Sequence, residues 1–276
     1  MIKIVNNFDL KGSLFSGQCF RMFEKDGYFY TIIKDRILKI KEEKEYYLIW
    51  SNNEDNLKEI VHNYFDLNRD YKKINKELMS KDSFLKGIIN DKHRIFRQDK
   101  VEMFISYIIS QNNNVKRIST SVNKLCELFG KKIIFENTEY YLFPSLDKLI
   151  SLNIEDLNLL KIGFRDKYIV NALEVLKKNR NFLEELDELN TYEAMELLTS
   201  IKGIGPKVAS CILMFGFSRL DAYPIDTWAK KYLSKRYNIS NLDELKKRLH
   251  DLYGDYVGLA IQYMYNYERN EKSTIN

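Results

Sequence analysis

The chain has few of the residues that form disulfides and hold metal ions. Among its 276 residues there are three cysteines and three histidines. They are Cys19, Cys126, Cys211, His62, His93 and His250. An odd number of widely separated cysteines argues against a disulfide framework, and three thiols cannot ligate a four-cysteine iron–sulfur cluster. The histidines are isolated and lack zinc spacing, so we interpret His93 as a surface or packing residue.

Long apolar runs are also absent. No run of about eighteen apolar residues occurs, and the N-terminus lacks the charged, apolar and small-residue order of a signal peptide. No clear repeat of 20 to 50 residues is present either. We therefore expect an intracellular, cytoplasmic protein. The net charge of +5 and the pI near 8.8 suit an anionic partner without proving one.

The most informative segment is Gly203–Ala209, which reads GIGPKVA, followed by Asp226. A turn of this kind between two helices can offer backbone N–H groups to a phosphate. It also sets Lys207 at the start of a helix, with a carboxylate downstream. Each feature alone has a plainer reading, as a tight turn, a solvated lysine and a helix cap. Their combination indicates a DNA-facing hairpin that carries an amine nucleophile.

Apolar residues at helical spacing predict three helices around this segment. The first has Thr191 as its N-cap and ends at the glycines, and the second ends at Gly216. The third runs from Thr227 to Arg236, with Asp226 at or near its start, where the helix dipole favours a carboxylate. The residues that carry the first two patterns are Tyr192, Met195, Leu198, Ile201, Val208, Cys211, Ile212 and Phe215.

The chain divides into two regions by pattern. Strands are predicted at residues 28–33, 36–40 and 46–50, with a turn at Asp26-Gly27, and helices at 56–64 and 71–79. From about Phe96 onward nearly every segment has a helical pattern. We therefore predict an α+β fold, with a small N-terminal antiparallel β-sheet domain at residues 1–92. A mainly α-helical domain follows at 93–276 and contains the hairpin at 191–217.

The stretch from Leu197 to Leu233 resembles the signature of the helix-hairpin-helix DNA glycosylase superfamily. The resemblance implies that the hairpin, through Gly203, Gly205 and Val208, grips the DNA backbone. It implies that Asp226 assists departure of the base. A lysine at the position of Lys207 is typical of bifunctional members, in which the amine displaces the base and the resulting Schiff base permits strand cleavage.

Further motifs narrow the resemblance to the 8-oxoguanine DNA glycosylases. Residues 16–21, SGQCFR, resemble a segment whose glycine, here Gly17, accepts the N7 proton of 8-oxoguanine. Residues 110–117, SQNNNVKR, and 163–165, GFR, resemble two DNA-contacting stretches of that family. The resemblance implies that one residue fills the space of the flipped base, one wedges into the duplex, and two read the opposite cytosine. These residues are, in that order, Asn112, Phe164, and Arg117 with Arg165.

The base pocket of the family shows both matches and departures. Cys211 matches a cysteine that packs against the base, and Tyr265 matches an aromatic ring that stacks on it. Ile261 occupies the position of the family's base-reading glutamine, with Gln262 one residue later. Neighbouring residues of a helix point about 100° apart, so Gln262 can read the base only if the helix is shifted or the task is done differently. Trp228 replaces a histidine that contacts the DNA backbone in the eukaryotic enzyme.

Three hypotheses for function remain open at this point. The leading one is a bifunctional glycosylase and lyase that removes 8-oxoguanine opposite cytosine. The others are a glycosylase of the same superfamily for another base, and a noncatalytic DNA-binding protein. For the leading hypothesis the resemblance implies duplex DNA as partner, a monomer acting on the prokaryotic nucleoid, and no membrane. It implies no cofactor and no iron–sulfur cluster, with a monovalent cation at the hairpin as the one ion to consider.

Overall fold

An antiparallel five-stranded sheet forms near the N-terminus. In the computed structural model, which describes the backbone of residues 1–274 and the side chains of residues 1–269, the strand order is β1-β5-β4-β3-β2. The strands are β1 (Ile2–Val5), β2 (Met22–Lys25), β3 (Tyr28–Ile33), β4 (Arg36–Glu42) and β5 (Tyr46–Ser51). The three central strands confirm the predicted ones. The two edge strands were not predicted, because four residues are too few for a clear alternation.

Asp26 and Gly27 form the turn between β2 and β3. Both have positive φ, 52° and 75°, as a two-residue hairpin turn of the mirror-image type requires. This turn was predicted from the sequence. The strands that it joins pair in the register Lys25 with Tyr28.

The remainder of the described chain is mostly helical. The helices before the hairpin segment are α1 (Leu10–Leu14), α2 (Leu57–Tyr64), α3 (Tyr71–Lys81), α4 (Lys100–Ile109), α5 (Val115–Phe129), α6 (Leu146–Ile150), α7 (Ile154–Asn158), α8 (Arg165–Lys178) and α9 (Phe182–Glu188). Those that follow are α10 (Thr191–Thr199), α11 (Pro206–Gly216), α12 (Thr227–Tyr237), α13 (Leu242–Tyr253) and α14 (Val257–Thr274). Short 3-10 helices occupy Ser83–Gly87 and Gly254–Tyr256. Within residues 1–274 no helix is both long and apolar enough to cross a membrane.

One hairpin interrupts the region that was expected to be nearly all helical. Strands β6 (Lys132–Phe135) and β7 (Thr138–Tyr141) pair with each other through a turn at Glu136-Asn137. Both turn residues have positive φ, 49° and 58°, although neither is glycine. The expectation was wrong here because the usual Asn-Gly or Asp-Gly hairpin signal is missing.

The cap of α10 also differs from the prediction. Asn190, not Thr191, is the N-cap, and Thr191 is the first helical residue. The Asn190 side chain accepts a hydrogen bond from the Glu193 amide at 3.0 Å, and the Glu193 carboxylate accepts one from the Asn190 amide at 3.1 Å. This reciprocal pair satisfies two of the helix's free N–H groups, which a threonine one residue later could not do.

Two large apolar clusters and a smaller one form the core of the described part of the chain. The sheet packs with α2 around a cluster that includes Tyr47, Ile49, Val61 and Phe65. The helices enclose a larger cluster, in which the buried α11 packs against α4. Gln18 ties the two regions together because its amide accepts from Phe96 N at 2.7 Å and donates to the Arg94 carbonyl at 2.9 Å.

Candidate active site

A pocket of about 220 Å³ lies where the start of α11, the start of α12, helix α14 and residues 16–20 meet. It brings together six residues that the sequence singled out. They are Gly17, Lys207, Cys211, Asp226, Gln262 and Tyr265. Elements far apart in the chain therefore supply one concave surface with an amine, a carboxylate, an amide and an aromatic ring.

Lys207 is half-buried in the first turn of α11. Gly205 caps this helix and Pro206 is its first residue, so Lys207 is the second. Proline is favoured at that first position because its missing N–H would have no intrahelical acceptor anyway. This position sets the Lys207 side chain at the pocket, beside the free N–H groups of the first helical turn.

Cys211 follows Lys207 by one helical turn and forms the apolar floor of the pocket. The thiol is 3% exposed. Burial raises the pKa of Cys211 to about 11, while the charge of Lys207 lowers it and that of Asp226 raises it. The thiol therefore stays protonated at neutral pH, and both charged groups lie close enough to act on it.

Asp226 is the N-cap of α12. Its Oδ1 accepts a hydrogen bond from the Ala229 amide at 2.8 Å, and its backbone is extended. The cap orients the carboxylate and holds it at the N-terminus of α12. A fixed negative charge at a pocket wall can stabilise a cation that develops beside it.

Two aromatic residues form another wall. Tyr265 meets Trp228 edge to face, and Trp228 stacks on Tyr232 with centroids 5.2 Å apart and 11° between the ring planes. Trp228, the residue that departs from the family pattern, is thus part of the pocket lining rather than an outer surface residue. The face of an aromatic ring at a pocket wall is the kind of surface on which a base stacks.

Gln262 reaches the pocket despite its shifted position. Ile261 and Gln262 both line the cavity, and they are 4% and 7% exposed. The Gln262 amide nitrogen donates to Asn266 Oδ1 at 3.0 Å. Asn266 in turn contacts the ring of His93, which is buried and therefore not a surface residue. Sequence reasoning missed Asn266. Its position one helical turn after Gln262 becomes informative only when Gln262 is seen to face the pocket.

Gly17 lies on the opposite side of the pocket with φ +91°. That conformation is costly for other residues and lets the backbone itself line the cavity. The segment is held on both sides of the glycine. Gln18 donates to the Ser13 carbonyl at 2.8 Å, and Arg269 Nη1 donates to the Phe15 carbonyl at 2.9 Å.

The residues expected to contact DNA lie outside this pocket. Asn112, with φ 46°, and Arg117 are exposed, and the Phe164 ring is 47% exposed. An exposed phenylalanine at a turn is unusual for a packing residue and suits insertion into a base stack.

Arg165 differs from that expectation, because its guanidinium is buried. It donates to the carbonyls of Gln111 at 2.7 Å, Ile162 at 2.8 Å and Asn112 at 3.0 Å. In this arrangement its charge braces the Asn112 loop from within. That Arg165 reads cytosine stays a prediction, and it would require some of these donors to be released.

The hairpin between α10 and α11 has an open backbone surface. Gly203 has φ +103°, and a Cβ there would lie 2.3 Å from the Tyr168 ring, so only glycine fits. A Cβ on Gly205 would meet nothing within 4 Å. The Val208 side chain is buried, which leaves its backbone N–H, one of the free groups of the first helical turn, to face a phosphate.

Two hairpin carbonyls already have protein partners. Gln111 donates to the Gly203 carbonyl at 2.9 Å, and Asn171 donates to the Lys202 carbonyl at 3.1 Å. Among the described side chains, no group of three or more His, Cys, Asp or Glu could hold a metal ion. The monovalent cation at the hairpin stays a prediction.

Comparison with known proteins identifies the family. Residues 1–104 match the model of the 8-oxoguanine DNA glycosylase N-terminal domain. The structure of the Clostridium acetobutylicum 8-oxoguanine glycosylase/lyase, in complex with double-stranded DNA containing cytosine opposite 8-oxoguanine, is 34% identical with a TM-score of 0.89. The match covers 96% of this chain and 93% of that one. The chain belongs to the 8-oxoguanine DNA glycosylase family.

Other relatives agree with the 8-oxoguanine DNA glycosylase assignment. The structure of MBOgg1 in complex with a low-affinity DNA ligand is 34% identical, with a TM-score of 0.90. The match covers 98% of this chain and 94% of that one. The N-glycosylase/DNA lyase OGG1 of Arabidopsis thaliana is 33% identical over 181 residues, which are 60% of this chain and 49% of that protein. The first three curated relatives are matched over 44% to 62% of their length.

Proposed function

We propose that this protein is a bifunctional DNA glycosylase and lyase that excises 8-oxoguanine from duplex DNA, opposite cytosine. The observation that carries the proposal is the placement of Lys207 and Asp226 on one pocket, close enough that both charges act on the Cys211 thiol. Solved relatives with DNA support the substrate class. The partner is then double-stranded DNA, and the chain acts as a monomer without a cofactor in a prokaryotic cytoplasm.

The target nucleotide has to leave the duplex before it can reach this pocket. Extrusion costs roughly a few kcal/mol of stacking and pairing. The exposed Phe164 ring is suited to wedge into the stack, and Asn112 to fill the space that the base vacates. The backbone N–H groups near Gly205 and Val208 are suited to hold a phosphate beside the extruded sugar.

Lys207 is the nucleophile in this proposal. Its neutral amine attacks C1′ of the sugar, the bond from C1′ to the base breaks, and the base leaves with the electron pair and takes up a proton. The Asp226 carboxylate, held in place by its cap position, stabilises the positive charge that develops on the sugar. The amine then loses a proton as the sugar ring opens, which leaves a protonated Schiff base.

Strand cleavage follows from that Schiff base. Loss of a C2′ proton allows the bond from C3′ to the phosphate oxygen to break, and the phosphate leaves with the electron pair. Water then hydrolyses the imine and releases Lys207. No oxidant or metal is required at any step.

The test uses an end-labelled duplex with one 8-oxoguanine opposite cytosine, with and without borohydride. We expect cleavage at the lesion and a covalent adduct, and we expect Lys207→Gln to lose the adduct while it still binds the duplex. Lys202→Gln, a change of the same kind on the neighbouring hairpin surface, serves as the control and should still be trapped. Absence of excision by the unaltered protein would overturn the proposal, and trapping of Lys207→Gln would assign another amine.

A second candidate is a glycosylase of the same superfamily with a different preferred base. It is favoured by Ile261, which stands where the family has its base-reading glutamine. A panel of duplexes that each carry one damaged base decides between the two, since the preferred substrate is released fastest. A noncatalytic DNA-binding protein would bind these duplexes and form no adduct with borohydride.

A further inference from the structure

The amide of Gln262 is held from behind by a chain of three polar side chains. Its Nε2 donates to Asn266 Oδ1 at 3.0 Å. Asn266 lies one helical turn further along α14, where its side chain stands next to that of Gln262. This bond holds the nitrogen, which keeps a second N–H, at Asn266, and the amide oxygen takes the other position of the group.

The other end of the Asn266 amide is hydrogen-bonded to His93. With its oxygen engaged by Gln262, Asn266 presents its Nδ2 to His93 Nε2 at 3.3 Å. An amide nitrogen can only donate, so His93 Nε2 has to carry a lone pair and the ring proton belongs on Nδ1. Nδ1 lies 3.4 Å from Ser13 Oγ, which can accept a hydrogen bond from the Nδ1–H group.

The surroundings of His93 keep it neutral, as this arrangement requires. The residue is 2% exposed, and its ring meets the edge of Tyr263 with centroids 6.0 Å apart. Burial lowers the pKa of His93 to about 4, with the Arg94 charge acting in the same direction and the Asp9 charge opposing it. A neutral ring offers one donor and one acceptor, which are the two functions used here.

This chain of hydrogen bonds ends at Ser13, next to the segment that carries Gly17. The Arg94 amide donates to Ser13 Oγ at 3.0 Å, and Gln18 donates to the Ser13 carbonyl at 2.8 Å. Ser13 thus anchors His93 on one side and the neighbour of Gly17 on the other. The two walls of the pocket are therefore set by one connected group of hydrogen bonds.

We propose that His93 and Asn266 are positioning residues that turn the amide oxygen of Gln262 towards the pocket, and that this polarity selects a base whose Watson–Crick edge donates hydrogen bonds. The inference rests on the proposed function and extends it to the specificity of the same site. A guanine-type edge offers N1–H and a 2-amino group as donors, whereas an adenine-type edge offers an acceptor at N1 beside a 6-amino donor. An acceptor held opposite N1 forms a hydrogen bond with the first edge and meets a lone pair on the second.

The ring tautomer of His93 gives a test that needs no activity. The chain has three histidines, so the ¹⁵N resonances of the rings can be assigned by their loss in single variants. We expect the His93 ring to be protonated at Nδ1 and bare at Nε2 at neutral pH. Protonation at Nε2 would place Asn266 Oδ1 against the ring and the Gln262 nitrogen in the pocket, and would overturn the proposal.

Single-turnover excision gives the second test. Rates are compared for duplexes with 8-oxoguanine and with 8-oxohypoxanthine, which lacks the 2-amino group. His93→Phe keeps a ring of similar shape and removes both nitrogens, and Asn266→Ala removes the middle of the chain. In each, we expect the preference for 8-oxoguanine to fall by about threefold to tenfold, the range of one neutral hydrogen bond.

Tyr263→Phe is the matched control. It deletes one polar atom beside His93, the hydroxyl that donates to Asn75 Oδ1 at 2.9 Å, without touching the chain to Gln262. We expect this variant to keep the preference of the unaltered protein. If its preference falls as far as in His93→Phe, the effect is one of general packing and the proposal is wrong.

The outcomes separate this inference from the proposed function. A purely structural role would lower both rates alike and leave their ratio unchanged, which would overturn the inference alone. An unaltered protein that excises both bases equally well would also overturn it. No excision of either base would overturn the proposed function, and this inference with it.

Discussion

Trp228 and Tyr265 meet edge to face at the wall of the pocket, with ring centroids 5.3 Å apart and 81° between the ring planes. The contact joins the first turn of α12 to α14. It fixes the tilt of the Tyr265 ring relative to the cavity. The same helix turn carries Asp226, so the aromatic wall and the carboxylate are positioned together.

The first prediction concerns this aromatic pair. Trp228→Leu should weaken binding of the 8-oxoguanine duplex by about threefold to tenfold. Tyr265 then loses its edge-to-face contact, and such contacts contribute about 0.5–1.5 kcal/mol. Trp228→Phe keeps a ring in place and should bind nearly normally. Binding is measured in a Lys207→Gln background to exclude turnover. Equal affinity of the leucine and phenylalanine variants would show that the ring contact has no part in binding.

The second prediction separates the two roles of Asp226. Asparagine caps a helix as well as aspartate, so Asp226→Asn should keep the melting temperature while base release slows by about 100-fold or more. Asp226→Ala should lose the cap as well and unfold about 1 kcal/mol more easily. Thermal unfolding and single-turnover base release measure the two effects. Normal turnover of the asparagine variant would remove the charge from the mechanism.

The third prediction contrasts two arginines. Arg165→Ala should lower the free energy of unfolding by about 2 kcal/mol, because three backbone carbonyls lose a charged donor. Arg117→Ala, an exposed site, should change stability by less than about 0.5 kcal/mol. It should instead relax the preference for cytosine opposite the lesion by about 1–3 kcal/mol. Urea unfolding, and excision opposite cytosine and adenine, test the pair. A stable Arg165→Ala protein would refute the bracing role of Arg165.

The fourth prediction follows from the burial of His93. Its pKa is about 4 in the folded state against an ordinary value of 6.5, so the unfolded chain binds more protons between these values. This group therefore contributes stability above pH 6.5 that is lost as the pH falls towards 4, with a full size on the order of 3 kcal/mol. The free energy of unfolding, measured with urea at pH 4.5 and at pH 7, should differ less between the two pH values for His93→Phe than for the unaltered protein. An equal difference in both proteins would mean that His93 does not titrate on unfolding.

Local signals made much of the fold predictable. The three central strands and the Asp26-Gly27 turn follow from alternation and turn chemistry over a few residues. Capping was less certain, because Asn190 and Thr191 are both good caps and only the reciprocal bond with Glu193 decides between them. The hairpin at Glu136-Asn137 was missed because it lacks the Asn-Gly or Asp-Gly pair that marks such turns.

In the pocket, too, features set by neighbouring residues could be predicted, and contacts between residues far apart in the chain could not. The helix-start positions of Lys207 and Asp226 follow from the residues around them. The bond between Asn266 and His93 joins positions 173 apart, and no spacing rule predicts it. Arg165 was assigned to DNA by resemblance alone, and its carbonyl partners became visible only with the loop in three dimensions.

The hydrogen bond from Arg269 to the Phe15 carbonyl joins residues 254 positions apart and ties α14 to the segment that carries Gly17. In the order of synthesis, the reactive lysine and the carboxylate leave the ribosome before Gln262, Tyr265 and Arg269 do. A nascent chain that lacks α14 thus already contains the two proposed catalytic groups but only part of the surface proposed to select the base. In this proposal, α14 completes the selective surface around the amine.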